Sequence, residues 1–173
     1  MEKGMTFKGH ADRSDLVGEH VLGDIGQFIL LMIFLAVWII DSFVARYSTF
    51  LAAYIPLFLR LPVALFILVC SGYFARSGLR IVFGEIREQP MVLRQGVFKV
   101  VRHPIYLGSI LLYLGLSIAT ASLAAMLVWM GILSFYHFIS RYEEKLLLNR
   151  FGAEYEKYMS EVPMWMPKFR RGV

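Results

Sequence analysis

The stretch HPIYLGSILLYLGLSIATASLAAMLVWMGILSFYHFIS, His103–Ser140, runs for 38 residues without an Asp, Glu, Lys or Arg. As one straight helix it would measure roughly 57 Å, nearly twice the ~30 Å hydrocarbon core of a bilayer. It must fold back on itself. The small, weakly helix-favouring Ala119-Thr120-Ala121-Ser122 is the expected turn, which makes residues 105–140 a helical hairpin. The rest of the chain agrees with a membrane setting. Of 173 residues, 58% are AVILMFWYC and 18% are DEKR, against about 45–50% and 25% in soluble domains. Such a composition excludes disorder, a coiled coil and a disulfide scaffold, and so short a soluble chain could not bury this much apolar surface.

Two further spans precede the hairpin, within residues 25–75. Ile25–Ile40 is free of charge between Asp24 and Asp41, and it reaches spanning length when extended toward Tyr47. Tyr47–Ala75 is interrupted only by Arg60, beside Pro56 and Pro62. Leu51–Leu59 reads as partly interfacial and Leu61–Ala75 as the buried part of span two, with Arg60 snorkelling to the surface. The expected fold is all-α, a single polytopic membrane helical bundle over 1–173 with about four transmembrane helices and C-terminal helices in the cytoplasm.

Basic residues give the orientation. Of 18 Lys and Arg, only Arg46 and Arg60 fall between spans one and two, and none falls in the hairpin turn. The other 16 lie before span one (Lys3, Lys8, Arg13), between spans two and three, or after span four. The positive-inside rule then places both termini and the 76–104 segment in the cytoplasm. A pI near 9.4 therefore reflects topology, and no nucleic-acid partner is expected. The first 24 residues carry eight charges and do not read as a secretory signal. The single Cys70 allows neither an intramolecular disulfide nor a cysteine zinc site, and no metal centre is expected.

The cytoplasmic segments have their own structure. Residues 76–104 are expected to begin helical, Arg76–Glu85, and to turn around Gln89-Pro90 and Gly96. Arg141–Phe151 reads as a helix continuing out of span four, ended by Gly152, and Ala153–Glu161 as a second short one. Val162-Pro163-Met164-Trp165-Met166-Pro167 is aromatic and proline-bounded, which suits the membrane interface.

Two local features could carry chemistry. In Arg102-His103-Pro104-Ile105-Tyr106-Leu107-Gly108, Pro104 biases His103 to an extended backbone and suits the first position of a helix. Free N–H groups there would bind an anion, with Arg102 adding a fork of donors. Gly108 could let a ligand approach the helix, and Tyr106 offers an aromatic face with a hydroxyl. In Arg141-Tyr142-Glu143-Glu144, neighbouring carboxylates lie about 100° apart on a helix, so one could face a pocket while its neighbour meets a different ligand group or solvent. Each feature alone also reads as an ordinary membrane-proximal helix end. The hairpin brings both to one face of the membrane, where donors, carboxylates and Tyr106, Tyr136 and Tyr142 suit a zwitterionic, cationic ligand with a ring system. S-adenosylmethionine is such a ligand, though these residues do not single it out.

The run Gly96-Val97-Phe98-Lys99-Val100-Val101-Arg102-His103-Pro104-Ile105-Tyr106-Leu107-Gly108, then Arg141-Tyr142-Glu143-Glu144-Lys145-Leu146-Leu147 and the tail Phe151-Gly152-Ala153-Glu154-Tyr155-Glu156-Lys157-Tyr158 ending at Pro167, resembles the isoprenylcysteine carboxyl methyltransferase family and its phospholipid methyltransferase relatives. The resemblance covers roughly residues 72–168. It implies S-adenosylmethionine as cofactor, with Arg102, His103, Pro104, Tyr106 and Gly108 lining its site and Glu143 and Glu144 closing it. It also implies a lipid-like acceptor arriving from the bilayer, and a catalytic set of Arg141, Glu143 and Glu144. Val97-Phe98 stands where many relatives have Pro-Tyr, and Leu112 where eukaryotic prenylcysteine enzymes often have Trp.

The expected activity is thus methyl transfer from S-adenosylmethionine to a prenylcysteine-type or other lipid-like acceptor, with phospholipid N-methylation as the alternative. An NADPH-dependent membrane reductase and a non-catalytic membrane subunit are the rival classes. A carboxylate acceptor would need no base, whereas an amine would have to lose a proton to Glu143, Glu144 or His137.

Overall fold

The computed structural model describes residues 21–84 and 90–166, with side chains from residue 25. Expectations that rest on Lys3, Lys8, Arg13, Glu85, Arg87, Gln89 or the chain from Pro167 onward lie outside the described residues. Every regular element within them is helical. Helix α1 (Val21–Ile39) runs on as a π-helical turn, Ile40–Ala45, and a short 3-10 turn follows at Phe50–Ala53. Then come α2 (Leu57–Phe83), a 3-10 turn at Gly96–Lys99, α3 (Pro104–Thr120), α4 (Leu123–Phe151) and α5 (Ala153–Glu161).

Three of these, Ile25–Ala45, Leu57–Phe83 and Leu123–Phe151, are long and apolar enough to cross a membrane. The four expected on sequence become three by this measure because α3 has only 17 residues, a rise of about 26 Å. Its ends explain its length. Pro104 starts it, and Ala121 stops it in the left-handed conformation (φ 55°, ψ 34°). Ser122 then starts α4 by accepting the Ala125 N–H at 3.1 Å. The hairpin turn therefore falls within the expected Ala119–Ser122.

Span two differs from its sequence reading. Helix α2 starts at Leu57, capped by Pro56, and passes through Pro62, so the expected interfacial stretch is partly its first turn. A proline this early removes one ladder bond while the rest of the helix continues. Arg60 lies in the first turns of α2 and is partly exposed. Its Nε and Nη1 are buried without a hydrogen-bond partner.

Helices α2 and α3 pack closely along small residues, the usual membrane solution where backbones must approach. A Cβ on Gly108 would meet Ala75 Cβ at 2.8 Å and Ser71 O at 3.0 Å, and one on Gly115 would meet the Leu68 side chain at 2.8 Å. The Ser71 hydroxyl donates to Gly108 O at 2.7 Å across this contact. A second core joins α1, α3 and α4 through Phe34, Ile110, Tyr113, Ala125, Ile132 and Tyr136. Outward faces carry exposed Phe28, Phe66 and Leu127, consistent with a hydrocarbon solvent.

At one end of the bundle Asp41 ties the link after α1 to the start of α4. Its Oδ1 accepts Ser48 N at 2.8 Å, and its Oδ2 accepts the Ser48 and Ser122 hydroxyls at 2.6 and 2.5 Å. Ser48 Oγ in turn accepts Ala124 N at 2.8 Å. The α3–α4 turn and the start of α2 share this end. The opposite end gathers the start of α3, the charged half of α4, α5 and the tail.

Candidate active site

His103 adopts an extended backbone (φ −121°) with Pro104 as the first residue of α3. The tail runs alongside this corner, since Arg102 N donates to Pro163 O at 3.0 Å and His103 N to Met164 O at 3.4 Å. The Arg102 guanidinium is fully engaged. Its Nε and Nη2 each stand 2.7 Å from Glu144 Oε1, and Nη1 donates to the carbonyls of Met159 and Val162.

The His103 ring sits between the two glutamates, with Nδ1 3.6 Å from Glu143 Oε2 and Nε2 3.4 Å from Glu144 Oε1. The two carboxylates meet different groups, Glu143 the Tyr106 hydroxyl and Glu144 the Arg102 guanidinium, and share the imidazole. A planar ring lying across α4 presents one nitrogen to each position, so the offset between neighbours lets both meet it. Tyr106 stacks on the imidazole (5.7 Å, 4°), donates its hydroxyl to Glu143 and leans on Tyr136 at 5.2 Å. Arg102, His103, Pro104, Tyr106, Glu143 and Glu144 thus come together. Arg141 stands at the rim, its side chain 58% exposed and Nη1 3.7 Å from Glu144 Oε2. Gly108 does not open a path for a ligand, because Ala75 and Ser71 of α2 fill the space beside it.

Burial pushes the His103 pKa below its ordinary value, and Arg102 adds to this while Glu144 pulls the other way. The imidazole is accordingly neutral at pH 7. Burial raises the Tyr155 and Tyr158 phenols well above their ordinary range, so both stay protonated, and Tyr158 donates to Phe98 O at 2.7 Å.

Three buried polar atoms here have no hydrogen-bond partner among the described residues: Glu144 Oε2, Ser140 Oγ and Trp165 Nε1. Glu144 is only 2% exposed and Ser140 fully buried. Unpaired buried groups each cost about 1–3 kcal/mol, so each calls for a physical explanation. Ser140 and Trp165 were not singled out on sequence. Tyr136, Ser140 and Glu144 repeat every four residues, one stripe of α4, and that spacing could have found Ser140. Trp165 lies edge-on to His137 (5.6 Å, 77°) and packs against the α1–α3–α4 core.

A family model described as phospholipid methyltransferase matches residues 61–154. Methanethiol S-methyltransferase 1 of Bradyrhizobium diazoefficiens is 37% identical over 78 residues, 44% of this chain and 26% of that protein. Protein-S-isoprenylcysteine O-methyltransferase of Schizosaccharomyces pombe is 26% identical over 109 residues, 57% and 46% of the two chains. Methanethiol S-methyltransferase of a Pseudomonas species is 33% identical over 86 residues, 49% and 32% of the two chains. The aligned part of the chain spans between about a quarter and a half of the length of these relatives.

Proposed function

The chain belongs to the phospholipid methyltransferase family, whose model takes in more than half of it, and from that premise we propose that it moves a methyl group from S-adenosylmethionine to a hydrophobic acceptor delivered through the bilayer. The observation that carries this reading is the Arg102–His103–Tyr106–Glu143–Glu144 cluster with its three orphaned polar atoms.

The residues present fit the cofactor. A sulfonium attached to an amino acid, a ribose and a purine calls for aromatic faces, carboxylates and neutral hydrogen-bonding groups. His103, Tyr106, Tyr136 and Trp165 supply the first, Glu143 and Glu144 the second, and Ser140 the last. When bound, the cofactor supplies an activated methyl on a sulfonium. The chain's own task is alignment and exclusion of water. In this reading Arg102 is a positioning residue, fixing Glu144 and the tail. Pro104 sets where α3 begins, and Arg141 guards the rim. An ionised acceptor requires no base, whereas an amine could pass its proton to His103, Glu143 or Glu144.

For the acceptor, a prenylcysteine-type or phospholipid group is the first choice, since the outer faces meet hydrocarbon. A small thiol is the second, favoured by the higher identity to the two methanethiol enzymes. We further read α3 as a fourth crossing and both chain ends as cytoplasmic, supported by the placement of 16 of 18 basic residues. Single cysteines at Ala121 and Gly152 in a Cys70→Ser background should then label from opposite sides of the membrane.

The test is radiolabelled S-adenosylmethionine offered to the protein in lipid nanodiscs. Separate reactions contain a farnesylcysteine analogue, total membrane lipid and methanethiol, with S-adenosylhomocysteine calorimetry in parallel. Label in one organic product identifies the acceptor. No binding and no label overturns the proposal.

A further inference from the structure

His103, Ser140 and Glu144 are buried, and the Arg102 side chain beside them is nearly so. A molecule the size of the proposed cofactor reaches them only if a covering element moves. The start of α3 and the inner stripe of α4 belong to the packed bundle, held there by Ile110, Tyr113, Ile132 and Tyr136. Helix α5 and the chain that follows it lie across the same end.

That covering chain divides at Val162. Up to this point it is fastened from several sides. Tyr155, Tyr158 and Val162 form a small core with Val92, and the Tyr158 hydroxyl donates to Phe98 O. Arg94 donates to Glu154 O at 2.6 Å and pairs with Glu161 at 3.3 Å. Val162 then leaves the helix in an extended conformation (φ −116°, ψ 127°). Beyond it, Pro163–Met166 makes two backbone hydrogen bonds among the described residues, Arg102 N to Pro163 O at 3.0 Å and His103 N to Met164 O at 3.4 Å. Trp165 is its anchor against the α1–α3–α4 core, yet the indole N–H is buried there without a partner among the described residues. The closed position thus carries an uncompensated cost. Met166, next in the chain, is exposed. Lifting this segment breaks two hydrogen bonds and exposes one indole, whereas moving α5 would take apart a core.

We propose that Pro163–Met166 is a strap, hinged at Val162, that lifts to admit the cofactor and shuts with Trp165 against the core. The proposal rests on the reading of the Arg102–Glu144 cluster as the cofactor site. Segments with few bonds open first, and such openings gate access to enclosed sites. The Arg102 and His103 amides report on the strap directly, because its carbonyls are what they donate to.

The experiment is amide-resolved hydrogen–deuterium exchange of the full chain in lipid nanodiscs without ligand, with S-adenosylhomocysteine association and dissociation rates measured on the same samples. The Arg102 and His103 amides should exchange together, and faster than the Val162 amide, which donates to Tyr158 O at the end of α5. Trp165→Ala should speed the first two by about tenfold and leave Val162 unchanged. Pro163→Gly keeps the indole and frees the hinge, and should speed them by about twofold to fivefold. Each variant should raise the association rate of S-adenosylhomocysteine by a similar factor, because entry follows the open fraction. A residue that merely touches the ligand acts chiefly on dissociation. Arg102 and His103 amides that exchange no faster than Val162, or that neither variant moves, would overturn the strap. So would an association rate unchanged in both variants. Exchange as expected with no S-adenosylhomocysteine binding at all would instead sink the cofactor reading, with the hinge itself intact.

Discussion

Two buried carboxylates stand at opposite ends of this bundle, Asp41 and Glu144, and their surroundings differ in partner charge and in completeness. Both oxygens of Asp41 accept hydrogen bonds from neutral groups of Ser48 and Ser122. Glu144 has one oxygen shared by Arg102 and His103, while the other has no hydrogen bond and only Arg141 at 3.7 Å. A carboxylate with both oxygens engaged by neutral donors fastens structure. One held rigidly by half, with an oxygen left over, has an acceptor to spare, which in the proposed function goes to a ligand. Burial alone does not separate the two roles; completeness of hydrogen bonding does.

The largest test of that contrast is Glu144→Ala. It leaves the Arg102 guanidinium buried without its counter-charge, for which about 3–5 kcal/mol of stability is expected to go. Glu144→Gln keeps the shape and an acceptor for Arg102 while removing the charge. It should lower S-adenosylhomocysteine affinity in calorimetry by about tenfold or more with a smaller drop in thermal midpoint. Unchanged affinity in a folded Glu144→Gln protein would break the comparison.

Asp41→Ala should come next. Three donors at Ser48 and Ser122 lose their acceptor, and unsatisfied buried groups of this kind cost about 1–3 kcal/mol. The midpoint should fall while cofactor affinity of the folded fraction stays at the wild-type value. A loss of affinity without a loss of stability would reverse the roles assigned to the two ends.

Gly108→Val sharpens the comparison from the middle of the molecule. Its branched side chain would begin 2.8 Å from Ala75 Cβ and 3.0 Å from Ser71 O, both set by the neighbouring helix. Separating α2 from α3 should cost about 1–3 kcal/mol. Gly115→Ala meets only the flexible Leu68 side chain closely and should cost less. Paired denaturation curves in one detergent check the order.

Much of this was legible beforehand, and the rest was not for definable reasons. The hairpin turn followed from length against bilayer thickness, and Ala121–Ser122 lies where a 38-residue charge-free run had to bend. The meeting of Arg102, His103 and Tyr106 with Glu143 and Glu144 followed from the hairpin. The partners inside that cluster did not, because they depend on side-chain torsions that spacing leaves open. Arg102 illustrates this: its type says anion donor, but the carbonyls of Met159 and Val162 that engage it come from the end of α5, whose docking against the start of α3 no periodicity encodes. Gly108 was ambiguous for a related reason, since an absent side chain makes room equally for a ligand or a helix, and only the position of α2 decides.

The smallest expected effect is a pH dependence confined to the Glu144 end. His103 is buried and its pKa is depressed by that burial, despite Glu143 and Glu144 on its two edges. In the unfolded chain the imidazole takes a proton near pH 6.5, whereas in the folded chain it does so only at lower pH. The unfolded state therefore binds more protons in the interval between, and stability falls as pH falls through about 6.5 toward the folded value. Thermal midpoints scanned from about pH 7.5 down to about pH 5.5 should decline. His103→Gln should flatten that part of the slope, while Asp41→Asn should keep it despite a lower midpoint throughout. A slope that disappears with Asp41 and survives the loss of His103 would mean that the proton-sensitive group sits at the fastened end, and Glu144's unpaired oxygen would then be the wrong marker of the site.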